Sequence, residues 1–363
     1  MNWKPALATM NPYKPGRSIE DVQKEFDLSE IVKLASNENP YGCAPSVRKI
    51  LDNPGIQIEM YPETSSPPLR AKLAKKLGVD ESNVILGNGS DDIITIICRA
   101  LLNRESNTLM PTPSFPQYAH NAKIEGAEVR EIPLVDGQHD LDRFLQEIDS
   151  STAVIWICSP NNPTGDLIPS ERLKKFLDAV PRTVLTVLDE AYFEYITEES
   201  YEDPIQWLSE YPNLMILRTF SKAYGLASFR IGYGIASTEI ITELNKVRNP
   251  FNTSSLALLV AEHALADQAF IDECRLENEK QRKRFVQFAK KHNLHIHPSE
   301  ANFVLIEVPM DATEAADKLL QQGFIVRSGN LLGTPKRVRV TIGSEEQNNG
   351  FFKAFETLLT NRG

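Results

Sequence analysis

From residue 84 to about residue 250, short apolar runs alternate with amphipathic stretches, and that alternation restricts the chain to few architectures. Val84-Ile85-Leu86 reads as a strand that leads through Gly87-Asn88-Gly89-Ser90 into a helical pattern from Asp91 to Leu102. Thr108-Leu109-Met110, Glu128 to Ile132 and Ala153 to Cys158 read as further strands. Helical stretches near Gln117 to Ile124 and Leu141 to Ile148 separate them. Ser170, with Glu171 in the first turn, reads as the cap of a helix running to Leu177. Val184 to Leu188 and Leu214 to Leu217 are unbroken apolar runs of the kind found inside parallel sheets. The pattern predicts an α/β fold with an open, mainly parallel sheet flanked by helices.

The texture changes after residue 252. Charged helical stretches fill residues 255 to 291. Strand-like His295-Ile296-His297 and Phe303 to Glu307 follow, then a helix near Ala312 to Gln322. Strands at Phe324 to Val326 and Val338 to Ile342 and a closing helix complete the chain. The expected organisation is an N-terminal arm over 1–30, a large domain over 31–252 and a smaller α/β domain over 253–363.

Composition narrows the class. The chain has 363 residues, 41% of them hydrophobic, enough for a large core. A net charge of -10 argues against nucleic acid or an anionic membrane as the main partner. No segment reaches the roughly 20 apolar residues of a membrane span. The opening Met1-Asn2-Trp3-Lys4-Pro5 lacks the apolar core of a secretory signal. Cys43, Cys98, Cys158 and Cys274 are scattered without a Cys-x-x-Cys pair, which suits buried thiols in a reducing cytoplasm and no metal site.

In open α/β sheets, ligands bind beyond the carboxyl ends of the strands. Lys222 follows the strand at Leu214 to Leu217, with Ser221 before it and Arg230 eight positions on. Such a lysine suits a covalent pyridoxal phosphate site, with the amine bonding the aldehyde and Ser221 and Arg230 holding the phosphate. A lysine alone is usually a solvated surface charge, so the other strand ends carry the argument. Gly89-Ser90-Asp91 opens a helix whose amides and Ser90 hydroxyl would cradle a phosphate; an ordinary capped turn is the alternative. Asn161-Asn162-Pro163-Thr164-Gly165 is either a turn or a device that aims the Asn162 amide at the phenolic oxygen of the cofactor. Asp189 would keep the pyridine nitrogen protonated, or it caps a helix. Tyr192 would donate to the phenolic oxygen, and Phe115 would stack on the ring or simply fill core. Gly87-x-Gly89 lacks the third glycine and later acidic residue of a nicotinamide site.

The chain resembles the fold-type I aminotransferases, and within them the histidinol-phosphate aminotransferase family, over almost its full length. The likeness rests on Asn11-Pro12-Tyr13-Lys14-Pro15-Gly16, Leu34-Ala35-Ser36-Asn37-Glu38-Asn39-Pro40-Tyr41-Gly42 and Met60-Tyr61-Pro62 near the start. It continues through Gly87 to Asp91, Ser159 to Gly165, Asp189-Glu190-Ala191-Tyr192, Thr219 to Leu226 and Val338 to Gly343. One departure is visible. The family often has a Gly-aromatic pair after Tyr-Pro-Asp/Glu, where this chain has Thr64-Ser65-Ser66-Pro67-Pro68.

The resemblance implies a homodimer with shared active sites, in which Tyr61 reaches the cofactor phosphate of the neighbouring subunit. It places Tyr13, Asn37, Arg327 and Arg339 at the substrate, with Arg339 on an α-carboxylate and Arg327 and Tyr13 on a substrate phosphate. It implies transamination of L-histidinol phosphate with 2-oxoglutarate in histidine biosynthesis, with Lys222 as general base on the Cα proton. An aromatic or broad-range aminotransferase and a decarboxylase of a phosphorylated amino acid are the rivals on the same fold. A cofactor-binding regulator would need a DNA-binding module, and none is visible. A nicotinamide-dependent oxidoreductase would suit the same α/β texture but has no covalent cofactor.

Overall fold

The computed structural model of the protein describes residues 1–8, 10–12, 19–26, 30–63 and 67–360. In chain order its strands are β1 (Val32–Lys33), β2 (Val84–Gly87), β3 (Asn107–Thr112), β4 (Glu128–Pro133), β5 (Thr152–Cys158) and β6 (Leu185–Asp189). There follow β7 (Leu214–Thr219), β8 (Gly232–Ala236), β9 (Phe303–Glu307), β10 (Phe324–Ile325), β11 (Arg327–Ser328) and β12 (Arg337–Thr341). A seven-stranded sheet has the order β2-β8-β7-β6-β5-β3-β4. Only β8 runs against the others, pairing antiparallel with both β2 and β7. The expected α/β fold with a mainly parallel sheet is therefore the observed one.

Both faces of the central strands β5, β6 and β7 are buried, which is why they read as near-continuous apolar runs rather than alternating ones. Along β5, Ile155 and Ile157 enter one core while Val154, Trp156 and Cys158 enter the other. The first core also takes Ala257, Leu258, Val260 and Ala261 from helix Ser255–Ala266. A separate core gathers Phe285, Phe288, Val304, Ile306, Val338, Val340, Phe351 and Phe355 around the antiparallel sheet β11-β12-β9. Leu34 joins that core, and β1 pairs in parallel with β10, so the segment after the arm is tied to the C-terminal sheet.

Two local expectations change. Ser170 is the first residue of helix Ser170–Ala179 and follows Pro169 at the cap position. Its hydroxyl accepts from the Glu202 amide at 2.8 Å, so it is not available to cap. His295 to His297 forms only an isolated bridge, Ile296 to Ile306. Pro298 has no N–H with which to extend the ladder.

Candidate active site

The parallel strands β5, β6 and β7 end side by side, and the turns that leave them build one pocket. β6 delivers Asp189 as its last residue, in register with Cys158 of β5. β7 ends at Thr219, and the tight turn beyond it presents Ser221 and Lys222. Across the opening, β11 and β12 bring Arg327 and Arg339 into direct register. Helix Ser90–Leu101 starts at the rim behind Gly89, with its amides and positive end facing the cavity. Ser90, Asp91, Phe115, Asn162, Asp189, Tyr192, Ser221, Lys222, Arg230, Asn37, Arg327 and Arg339 all line this single pocket.

Lys222 is half-buried, and its Nζ donates to the Ser36 carbonyl at 3.2 Å. Loss of hydration and the neighbouring Arg339 guanidinium lower its amine to about 8. A substantial neutral fraction near pH 8 is what a nucleophile and base requires. The irregular segment 35–43 crosses directly over this turn. Asn39 Nδ2 donates to the Ala223 carbonyl at 2.7 Å. Gly225, at φ +69°, leaves no room for a side chain, since a Cβ there would lie 1.8 Å from the Gly42 carbonyl oxygen.

Asp189 is buried, and burial pushes its carboxyl up to about 6. The Tyr118 hydroxyl, donating to Oδ2 at 2.6 Å, and the Ala191 amide, donating to Oδ1 at 3.2 Å, oppose that rise. Tyr118 is a site residue that pattern reasoning missed. Its signal was its place three residues after Phe115, in the first turn of helix Gln117–Glu125, which starts just past that pocket aromatic.

The remaining groups hold one another in place. Asn37 Nδ2 donates to the Tyr192 hydroxyl oxygen at 2.9 Å, which leaves the hydroxyl hydrogen to face the cavity. Asn37 sits at φ +58°, and its own amide donates to Thr341 Oγ1 at 2.9 Å. Arg339 donates through Nη1 to Asn162 Oδ1 at 2.5 Å and through Nη2 to the Ala35 carbonyl at 2.7 Å. With its oxygen occupied, Asn162 keeps its Nδ2 donor for a ligand.

The rim by the helix start suits a phosphate. Arg230 Nη1 lies 3.4 Å from Ser221 Oγ, and Nη2 lies 3.6 Å from Asp91 Oδ2. A Cβ on Gly89, at φ +82°, would come within 2.6 Å of Arg230 Nη2, so glycine keeps this cup open. Arg230, two serine hydroxyls and helix-start amides form an anion-binding donor set, while Lys222 and Asp189 stand deeper in the same cavity. The residues present thus fit pyridoxal phosphate.

Two expected residues stand apart. Tyr61 is 80% exposed and stacks on Phe251 with ring centroids 4.6 Å apart, outside the pocket of its own chain. Tyr13 lies outside the described residues, as do Thr64, Ser65 and Ser66 of the departing loop.

Comparison with known proteins agrees with this chemistry. The sequence model of the family "Aminotransferase class I and II" matches residues 29–355. A histidinol-phosphate aminotransferase of Geobacillus sp. (strain WCH70) is 52% identical over 99% of this chain and 98% of its own length. Another, from Bacillus subtilis (strain 168), is 53% identical over 99% of this chain and 100% of its own. Among solved structures, histidinol-phosphate aminotransferase from Sinorhizobium meliloti in complex with pyridoxal-5'-phosphate superposes with a TM-score of 0.89 at 27% identity. That match covers 99% of this chain and 98% of the other. The chain belongs to the class I and II aminotransferases and, within them, to the histidinol-phosphate aminotransferase family.

Proposed function

We propose that this pocket transfers the amino group of L-histidinol phosphate to 2-oxoglutarate, giving imidazole acetol phosphate and L-glutamate. The observation that carries the reading is the convergence of a lowered lysine amine, a buried carboxylate and two register-paired arginines on one cavity. Full-length relatives at about half identity carry that activity in their names.

Bound pyridoxal phosphate supplies an aldehyde that captures the substrate amine and a ring that accepts the electron pair left by the departing Cα proton. Ser90, Ser221 and Arg230 would hold its phosphate. Asp189 would face its ring nitrogen, Asn162 and Tyr192 its phenolic oxygen, Phe115 its ring and Lys222 its aldehyde. The Lys222 amine, when free of the aldehyde, would take the proton from the substrate Cα. Arg339, held by Asn162 and Ala35, offers a planar fork to the 2-oxoglutarate α-carboxylate, and Arg327 with Tyr13 meets the phosphate of the other substrate. Asn37 acts in the same place by fixing Tyr192 beside the substrate.

The assembly in this reading is a homodimer, with Tyr61 reaching the partner's cofactor phosphate. Ile58, Met60, Tyr61 and Phe251 together expose an apolar surface, which supports burial against a second copy. The reading keeps an arm at 1–30, a large domain at 31–252 and a small domain at 253–363. The helix Ser255–Ala266 packs with the large domain's core. The compartment is the cytoplasm; among the described residues no helix is long and apolar enough to cross a membrane.

Initial rates with L-histidinol phosphate, phenylalanine and tyrosine, each against 2-oxoglutarate, test the substrate. A kcat/KM at least about 100-fold higher for histidinol phosphate is expected, because the aromatic amino acids carry no phosphate for Arg327 to meet. Equal values would make the enzyme a broad-range aminotransferase. Carbon dioxide release without a keto acid would make it a decarboxylase.

A further inference from the structure

Tyr118 has no part in the cofactor-holding set above, yet its hydroxyl makes a 2.6 Å hydrogen bond to Asp189 Oδ2. The phenol is fully buried in helix Gln117–Glu125. Its ring stacks on Trp156 with centroids 4.9 Å apart and planes 11° from parallel. Trp156 is itself fixed, because its Nε1 donates to Thr108 Oγ1 at 2.9 Å and that hydroxyl donates to the Val154 carbonyl at 2.7 Å. The other edge of Tyr118 meets Phe115 at 5.6 Å in a T-shaped contact. One side chain therefore touches both the buried carboxylate and the aromatic at the pocket wall.

We propose that Tyr118 is a positioning residue for the cofactor: it orients the Asp189 carboxylate and holds it in its charged form against the surrounding apolar core. The proposal rests on the reading of Asp189 as the partner of the pyridine nitrogen. A carboxylate has about four acceptor positions, so after Tyr118 and Ala191 it still has capacity toward the cavity. A hydrogen bond from a neutral phenol stabilises the charged carboxylate over its protonated form. The phenol remains a donor throughout, since burial and the adjacent carboxylate raise its own ionisation far above the ordinary tyrosine range. The other titratable groups facing Asp189 are Asp91, Lys222, Cys158 and Tyr192, of which only Lys222 favours its charged form.

Cofactor release from the holoenzyme, followed by absorbance across pH about 5 to about 9, tests the idea because the carboxylate titrates inside that window. In the parent protein release should accelerate toward the acid end of that range, as Asp189, its carboxyl raised by burial, takes up a proton. Tyr118→Phe should displace that acceleration upward by about one pH unit, which makes release up to about tenfold faster at pH values above both midpoints and leaves it little changed below them. Tyr118→His keeps an N–H donor and should return part of the displacement. Phe at 118 should add nothing in an Asp189→Ala background, because the two residues act through one contact. A release rate raised by the same factor at every pH, no return with His, or additive effects in the double variant would each overturn the role of Tyr118. Parent-like release from Asp189→Ala alone would instead remove the Asp189 reading on which it stands.

Discussion

Lys222 Nζ and the Ser36 carbonyl oxygen are 3.2 Å apart, joined across the turn that follows β7. This contact ties the reactive amine to the segment 35–43, which also accepts from Arg339 at Ala35 and donates from Asn39 to Ala223. Amine, carboxylate-binding fork and overlying segment thus form one connected unit.

The lowered amine has a definite pH signature. Reaction of cofactor-free protein with an amine-directed reagent should show Lys222 labelling with a midpoint near 8, against 10.5 for an ordinary lysine. The sign for stability follows. The folded state disfavours the charged amine, so it carries a penalty below pH 8 that vanishes as pH rises toward 10.5. Lys222→Met should therefore raise the unfolding midpoint of the cofactor-free protein near neutral pH, and the gain should fade in alkali. A gain that is constant with pH would contradict the shifted amine.

Gly89→Ala places a methyl group against Arg230 Nη2 and forces a left-handed φ on a residue with a Cβ. Cofactor affinity, measured by equilibrium dialysis, should fall by about tenfold or more, with global stability reduced by about 1 kcal/mol. Unchanged affinity would separate this cup from phosphate binding.

Arg339→Lys keeps the charge but loses the planar fork that reaches Asn162 and Ala35 together. The kcat/KM for 2-oxoglutarate should drop by roughly 100-fold, with a smaller loss for histidinol phosphate, while the cofactor stays bound. Equal losses for the two substrates would place Arg339 on the substrate phosphate as well.

Below the site, Arg218 forms a buried ion pair with Glu190 at 2.8 Å, the residue after Asp189. It also bonds Asp203 at 2.7 Å and lies 3.4 Å over the Phe193 ring. Arg218→Met leaves the Glu190 carboxylate buried without its counter-charge. The expected cost is about 3–5 kcal/mol, read from the midpoint of urea unfolding. A loss below about 1 kcal/mol would show that Glu190 becomes neutral at little cost.

The sequence made the large sheet legible because strands buried on both faces are apolar at nearly every position, as along Val184 to Leu188, where Thr186 alone is polar. β8 escaped notice, since Gly232-Tyr233-Gly234-Ile235-Ala236 has too little side chain to register as an apolar run. Of the pocket, the residues at strand ends were readable because the fold dictates where ligands sit. Tyr118 was not, for an aromatic inside a helix looks like core until its hydroxyl is seen to meet a carboxylate. Arg327 and Arg339 were equally silent in pattern, because their meeting depends on the register of two strands joined by a turn. Only resemblance pointed to them.

The central claim is that Lys222 carries the cofactor. Borohydride reduction of the purified holoenzyme, followed by peptide mass mapping, tests it most directly. A phosphopyridoxyl mass on the peptide containing Lys222, and its loss in Lys222→Ala together with turnover, is the predicted result. A phosphopyridoxyl group on another lysine, or none after reduction of active enzyme, would contradict it.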